Sequence, residues 1–286
     1  MANTIGNPLS WGARILGVVG HDIGEVAREI GGEAMAEPEI RRIGVDDIRA
    51  ALRLGLADFA ALRTDVIAVC LLYPVIGACL VWVAFHQDLL PLVFPLISGF
   101  ALVGPAAALG LYEMSRRRET GTPASWMDGL AVLQSARFGA IMILGLGLLV
   151  VYVVWMVLAY GIFLATMGPD VPASAADFLR DVLTTRSGWA MMAVGIPVGF
   201  VFAGLVLAIS VVSFPLLLDR HIGLPKAVVT SVRATRANPV FVGLWGAIVA
   251  VSLAVGSIPF LLGLAVVLPI LGHATWHLYR RLVVPA

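Results

Sequence analysis

The sequence predicts an all-α, polytopic integral membrane protein with six transmembrane helices in three hairpins, each hairpin preceded by an amphipathic helix on the cytoplasmic surface. Three observations predict it. The 286 residues are 60% hydrophobic and only 13% charged, with a mean hydropathy of +0.96, whereas a soluble domain carries about 45–50% apolar and about 25% charged residues. Six apolar runs are long enough to cross a bilayer. The positive charges fall almost wholly between alternate runs. So much apolar surface excludes a soluble enzyme, and a net charge of +1 excludes the basic surface that nucleic acid requires.

A bilayer core takes about 20 mostly apolar residues per helix. The runs are 66–85, 89–112, 138–163, 189–218, 240–256 and 259–279. The last two form one apolar stretch that Gly256-Ser257-Ile258-Pro259 divides with turn chemistry. The fourth is long enough to require tilt or a kink, and Pro197 and Pro215 are placed to supply one. Cys70 and Cys79, on one predicted helix roughly 13 Å apart along its axis, read as small apolar fillers and not as a disulfide.

Orientation follows the bias of Lys and Arg toward cytoplasmic loops. Arg14, Arg28, Arg41, Arg42, Arg49, Arg53 and Arg63 precede the first run. Arg116, Arg117, Arg118 and Arg137 lie between the second and third. Arg220, Lys226, Arg233 and Arg236 lie between the fourth and fifth, and Arg280 and Arg281 follow the sixth. Only Arg180 and Arg186 of the 19 basic residues fall opposite. The sequence therefore predicts a multi-pass chain with both termini cytoplasmic. On the opposite side, Phe178 and Leu179 mark a short surface helix within the longest loop.

Residues 1–40 carry no sustained apolar face and no secretory signal, and they read as a mobile cytoplasmic tail ahead of a membrane domain at 41–286. That domain divides into three units, about 44–120, 121–222 and 223–286. The units open with Gly44-Val45-Asp46, Gly121-Thr122-Pro123 and Gly223-Leu224-Pro225. Asp46 suits a helix cap, and proline suits a first helical turn. Ile48, Leu52, Leu56, Phe59 and Leu62 then recur at helical spacing, with Asp47, Arg49, Arg53 and Asp58 off that face. Trp126, Leu130 and Leu133 repeat the pattern briefly, and Val228 and Val232 repeat it more weakly. Helices of this kind lie at the headgroup boundary. The second and sixth runs also share a pattern: Pro95-x3-Gly99-x5-Pro105 matches Pro259-x3-Gly263-x5-Pro269, and an arginine pair follows eleven residues later in each.

Three stretches carry a family resemblance: LLPLVFPLISGFALVGPAAALGLYEMSRRRE at 89–119, SVVSFPLLLDR at 210–220 and GHATWHLYRR at 272–281. They resemble a bacterial domain-of-unknown-function family of predicted integral membrane proteins, some of whose members are labelled as cytochrome c oxidase subunits. The resemblance runs from about residue 40 to 284. It implies a bacterial inner-membrane location and a link to a respiratory oxidase, and it carries no mechanism. A single lysine in a chain rich in Ala, Gly and Pro agrees with a GC-rich bacterial source. The catalytic haem–copper subunit needs more histidines at membrane depth than the five here, His21, His86, His221, His273 and His277.

The one metal-like pattern is His273 and His277, four apart on one helical face. Such a pair suits a transition metal or one axial haem ligand, with Asp219, His221 and Glu113 as candidate partners at the same membrane face. The competing reading is an aromatic and polar anchor formed with Trp276 and Tyr279, for which no cofactor is required. The Arg116–Arg118 run reads as an attractor of anionic lipid. The span centres hold no Asp, Glu, Lys or Arg, which argues against ion-coupled transport, although Pro/Gly pairs such as Gly195/Pro197 offer broken-helix sites. No motif of hydrolytic, nucleotide-binding or zinc-protease type is present. The sequence thus favours a non-catalytic accessory or assembly factor whose partners are the lipid bilayer and a respiratory or other membrane complex. Small-solute or lipid transport, and metal or haem binding at His273 and His277, stand as alternatives.

Overall fold

Long apolar runs can satisfy their backbone groups inside lipid only as helices or closed barrels, and helix is what the chain adopts. A computed structural model describes residues 37–284 except 87, 88, 133, 134, 136, 171, 173 and 260. The tail reading for residues 1–36, the loop at Gln87 and Asp88, and Leu133 of the second repeat therefore lie outside the described residues. Twelve α-helices are described: α1 (Val45–Cys70), α2 (Leu72–His86), α3 (Val93–Ala107), α4 (Leu109–Glu119), α5 (Trp126–Ala131), α6 (Phe138–Met167), α7 (Ala175–Thr184), α8 (Arg186–Ser210), α9 (Ser213–Asp219), α10 (Leu224–Ala237), α11 (Pro239–Ser257) and α12 (Leu264–Leu282). A 3-10 turn occupies Leu90–Leu92, and no strand longer than an isolated bridge occurs among the described residues.

By length and apolar composition three helical segments can cross a bilayer: α6, α8 continued into α9, and α11. The other three expected runs are interrupted or partly polar. The first is split at Leu71 between α1 and α2, the second at Ala108 between α3 and α4, and the sixth ends in Arg280 and Arg281. The long fourth run is interrupted at Val211–Val212, not at Pro197, which α8 absorbs. Pro215 explains the position. It has no N–H for the carbonyl of Val211 and its ring crowds that carbonyl, so the helix restarts as α9. Beside the break, Ser231 Oγ accepts from Val212 N–H at 3.2 Å, and Ser213 Oγ donates to the Ala227 carbonyl at 3.2 Å.

α1 differs most from expectation. The segment expected to lie separately at the headgroups continues without a break from Val45 to Cys70. Its N-terminus is held by Asp47, whose Oδ2 accepts from Gly44 N–H at 2.9 Å, while Asp46 pairs with exposed Arg49. The buried stripe is also rotated from the expected one. Ile48, Ala51, Gly55, Asp58 and Leu62 are buried, and Leu56 is 53% exposed. Small residues set this stripe because α12 crosses there: a Cβ on Gly55 would lie 2.6 Å from the backbone nitrogen of Ala274. In α10 the buried side is likewise small and polar, Ala227, Thr230, Ser231 and Ala234, not Val228 and Val232.

The hairpin of α11 and α12 closes through a second glycine contact. A Cβ on Gly263 would meet the Gly256 carbonyl oxygen at 2.6 Å, and Leu261 between them takes a φ of +66°. The predicted surface helix forms as α7, with the Ser174 hydroxyl accepting from Asp177 N–H at 3.1 Å and Phe178 edge-on to Phe163 of α6.

The largest buried side chains collect at one end of the bundle. Phe214, Leu216 and Leu217 of α9, Trp245 of α11, and Trp276, Leu278, Tyr279 and Leu282 of α12 are almost fully enclosed. Both ends of the described chain come here. Residues 39–41 run antiparallel to 282–284, with Arg41 N–H to the Leu282 carbonyl at 2.9 Å and Val284 N–H to the Glu39 carbonyl at 3.0 Å. Residues 37–40, counted with the tail in the sequence reading, are thus part of the packed structure.

Candidate functional site

At this end α1, α4 and α12 meet, and the meeting is polar. α12 presents His273 and, one turn on, His277. α4 presents Ser115 and α1 presents Asp58. His273 and Ser115 are fully enclosed and Asp58 nearly so. Ser115 Oγ donates to Asp58 Oδ2 at 2.7 Å and lies 2.7 Å from His273 Nδ1. His277 Nε2 lies 2.8 Å from the same carboxylate oxygen. The second oxygen, Oδ1, is 3.3 Å from Arg118 Nε.

Counting protons assigns the roles. An ionised carboxylate only accepts, so His277 Nε2 carries a hydrogen toward Asp58. The single hydroxyl proton of Ser115 is directed to Asp58, so His273 Nδ1 is the donor to Ser115 Oγ. His273 Nε2 is buried and meets no hydrogen-bond partner in good geometry among the described residues, with the Leu111 backbone carbonyl acting on the ring. Burial by itself would push the Asp58 carboxyl up, but the hydrogen bonds from His277 and Ser115 hold it below its ordinary value.

The carboxylates and histidine expected beside the pair lie at the same end with other partners. Glu113 is clamped by Arg116 at 2.7 and 2.8 Å and by Arg117 at 3.0 Å. Arg117 also reaches Asp128 at 2.7 Å, tying α4 to α5. Asp219 accepts from Tyr279 Oη at 2.6 Å and sits 3.5 Å from Arg280. His221 is exposed, its Nε2 3.1 Å from Arg137. Glu119 accepts from Trp276 Nε1 and Arg280 Nε, both at 3.0 Å. The structure therefore brings Asp58 and Ser115 to the histidines, and links Glu113, Asp219 and His221 to arginines. Among the described residues no three His, Cys, Asp or Glu side chains come together in a metal-binding group.

Asp58 and Ser115 were missed because the α1 face was drawn through its large apolar residues. The spacing Ala51-x3-Gly55 was the available signal, since small residues mark a close helix crossing and Asp58 follows on the same stripe. All three arginines of the Arg116–Arg118 run are ion-paired to carboxylates of this chain and remain partly exposed.

The helices and their composition define an integral membrane protein. Within it, residues 93–219, from α3 through α9, match the family model described as Predicted integral membrane protein (DUF2189). Two of the three stretches that carried the family resemblance fall in or largely in this range. No curated protein matches the chain, and no solved structure does.

Proposed function

We propose that this chain crosses the membrane six times with both termini on the arginine-rich side, and that it acts as a non-catalytic accessory or assembly factor for another membrane complex, a respiratory oxidase being the first to test. One observation carries the reading. The segments predicted to be cytoplasmic are joined to one another by hydrogen bonds and ion pairs: 39–41 with 282–284, Asp47 with Arg281, Asp58 with Arg118 and His277, Arg137 with the Leu218 carbonyl, and Ile43 with Asn238. An even number of crossings between each of these segments is the simplest way to return them to one side. The polar groups here are engaged in joining helices, which suits a rigid platform better than a reacting centre.

Affinity purification of C-terminally tagged protein from native membranes in mild detergent tests this, with mass spectrometry for partners and an absorption spectrum for haem. Enrichment of oxidase subunits or assembly factors over an unrelated six-span control is the expected result. A clean, colourless, partner-free protein overturns it and leaves small-solute or lipid transport. Topology is checked by reporter fusions at Arg49 and Arg236 against Ser257.

A second reading is favoured by the buried Nε2 of His273. Histidines that ligate metals donate their other ring N–H to a carboxylate or similar group, and here Nδ1 is anchored through Ser115 to Asp58. Loss of bound metal or haem in His273→Ala and His277→Ala is the result that this reading requires.

A further inference from the structure

Where the basic residues of this end are engaged decides which of them can face outward. Arg116, Arg117 and Arg118 hold Glu113, Asp128 and Asp58. Arg281 holds Asp47 and Arg280 holds Glu119 and Asp219. A different set is left at the start of α11. Asn238, the residue before that helix, is buried and clamps the N-terminal segment: its Oδ1 accepts from Ile43 N–H at 2.9 Å and its Nδ2 donates to the Arg41 carbonyl at 3.0 Å. This pins Arg41 and Arg42 beside Asn238, two residues from Arg236. All three arginines are exposed. Among the described residues none of the three is within ion-pair distance of a carboxylate: the nearby Glu37 is paired with Arg233, Asp47 is held by Arg281 although it also feels the charge of Arg41, and Glu39, two residues from Arg41, is exposed.

Beyond Asn238 the exposed surface of α11 is apolar. Val240 is 73% exposed, and Leu244, Val251 and Val255 continue one exposed stripe along α11, the helical spacing keeping them on one side. Gly243 and Ala247, also exposed, make the stripe shallow. A cationic cluster at the mouth of an apolar stripe on a membrane-length helix matches one ligand: an anionic phospholipid, with its phosphate on the arginines and an acyl chain along α11.

We propose that Arg41, Arg42 and Arg236, with the exposed stripe of α11, form a binding seat for an anionic phospholipid. The seat is a phospholipid seat and not a free-phosphate site, because the apolar stripe begins where the charges end.

Native mass spectrometry of the full chain, released from nanodiscs of phosphatidylcholine mixed with phosphatidylglycerol, tests the proposal. The wild type is expected to retain phosphatidylglycerol over phosphatidylcholine, and each Arg→Gln change at 41, 42 or 236 to lower that preference about fivefold, since one basic residue near an anionic surface contributes about a factor of five. Arg186→Gln, at the opposite end, is expected to leave it unchanged. The proposal is overturned if the triple variant keeps the wild-type preference while its melting temperature is unaltered, if Arg186→Gln lowers it equally, or if inorganic phosphate displaces the lipid.

Discussion

The last two helices of the chain have the same length and opposite fates. α11 and α12 each span 19 residues and are joined by one tight hairpin. α11 buries Val242, Trp245 and Gly256 alone, whereas α12 buries eleven residues, from Leu264 to Leu282. α12 is the axis on which α1 and α4 pack, and α11 lies against it with most of its surface outward. Hydrophobicity does not separate them in the expected direction, because the more apolar helix is the more exposed one. In a membrane protein lipid solvates an apolar side chain as well as a protein core does. Burial is then decided by close packing and by polar groups that need partners, and α12 has both: Ala274 against Gly55, and His273, His277, Tyr279 and Arg280 in hydrogen bonds.

The comparison is broken most strongly at Asp58. Asp58→Ala leaves His277, Ser115 and Arg118 facing a gap at a buried junction, and is expected to cost about 3–5 kcal/mol, read as a large fall in the detergent melting temperature. The same variant reports pH dependence. Because the folded Asp58 carboxyl lies below its ordinary value of 3.8, its contribution is whole above that value and is lost as pH falls through the lower, folded one. Wild type should therefore lose stability in that acidic window by more than Asp58→Ala does.

A charge on the exposed helix should act through insertion instead. Val251→Asp, on a side chain 62% exposed, is expected to cost about 2.5–3.5 kcal/mol of membrane insertion, measured as the inserted fraction in a translocation assay. A normal inserted fraction would show that this side of α11 does not face lipid. Gly55→Ala should cost about 1–3 kcal/mol by pushing a methyl into the Ala274 backbone, seen as a lower melting temperature with insertion unchanged. The smallest effect belongs to Val251→Ala, within about 0.5 kcal/mol in the same melt. A drop as large as that of Gly55→Ala would mean that a protein surface covers α11.

How much of this was legible in the sequence follows the same division. The hairpin turn after Gly256, the surface helix carrying Phe178 and Leu179, and the shared face of His273 and His277 could all be read from local pattern, because each depends on residues a few positions apart. The site's other half could not. Asp58 and Ser115 lie 57 positions apart in the chain, and Ser115 and His273 lie 158 apart, so no spacing connects them. Glu113 and Asp219 were recognised as belonging to this end, but arginines within a turn or from α12 reach them first. Two prolines in the fourth run could break a helix, and only the structure shows the interruption four residues before Pro215 while α8 runs on through Pro197.

Composition by itself determined that this is a helical membrane protein, since transfer of apolar side chains and exclusion of charge from lipid act residue by residue. Only the tertiary structure decided which helix is central, which arginines are neutralised within the chain, and that Asp58 and Ser115 hold the two histidines. Those outcomes depend on backbones approaching closely at Gly55 and on buried polar groups finding partners across the fold, and neither is a property of any single stretch of sequence.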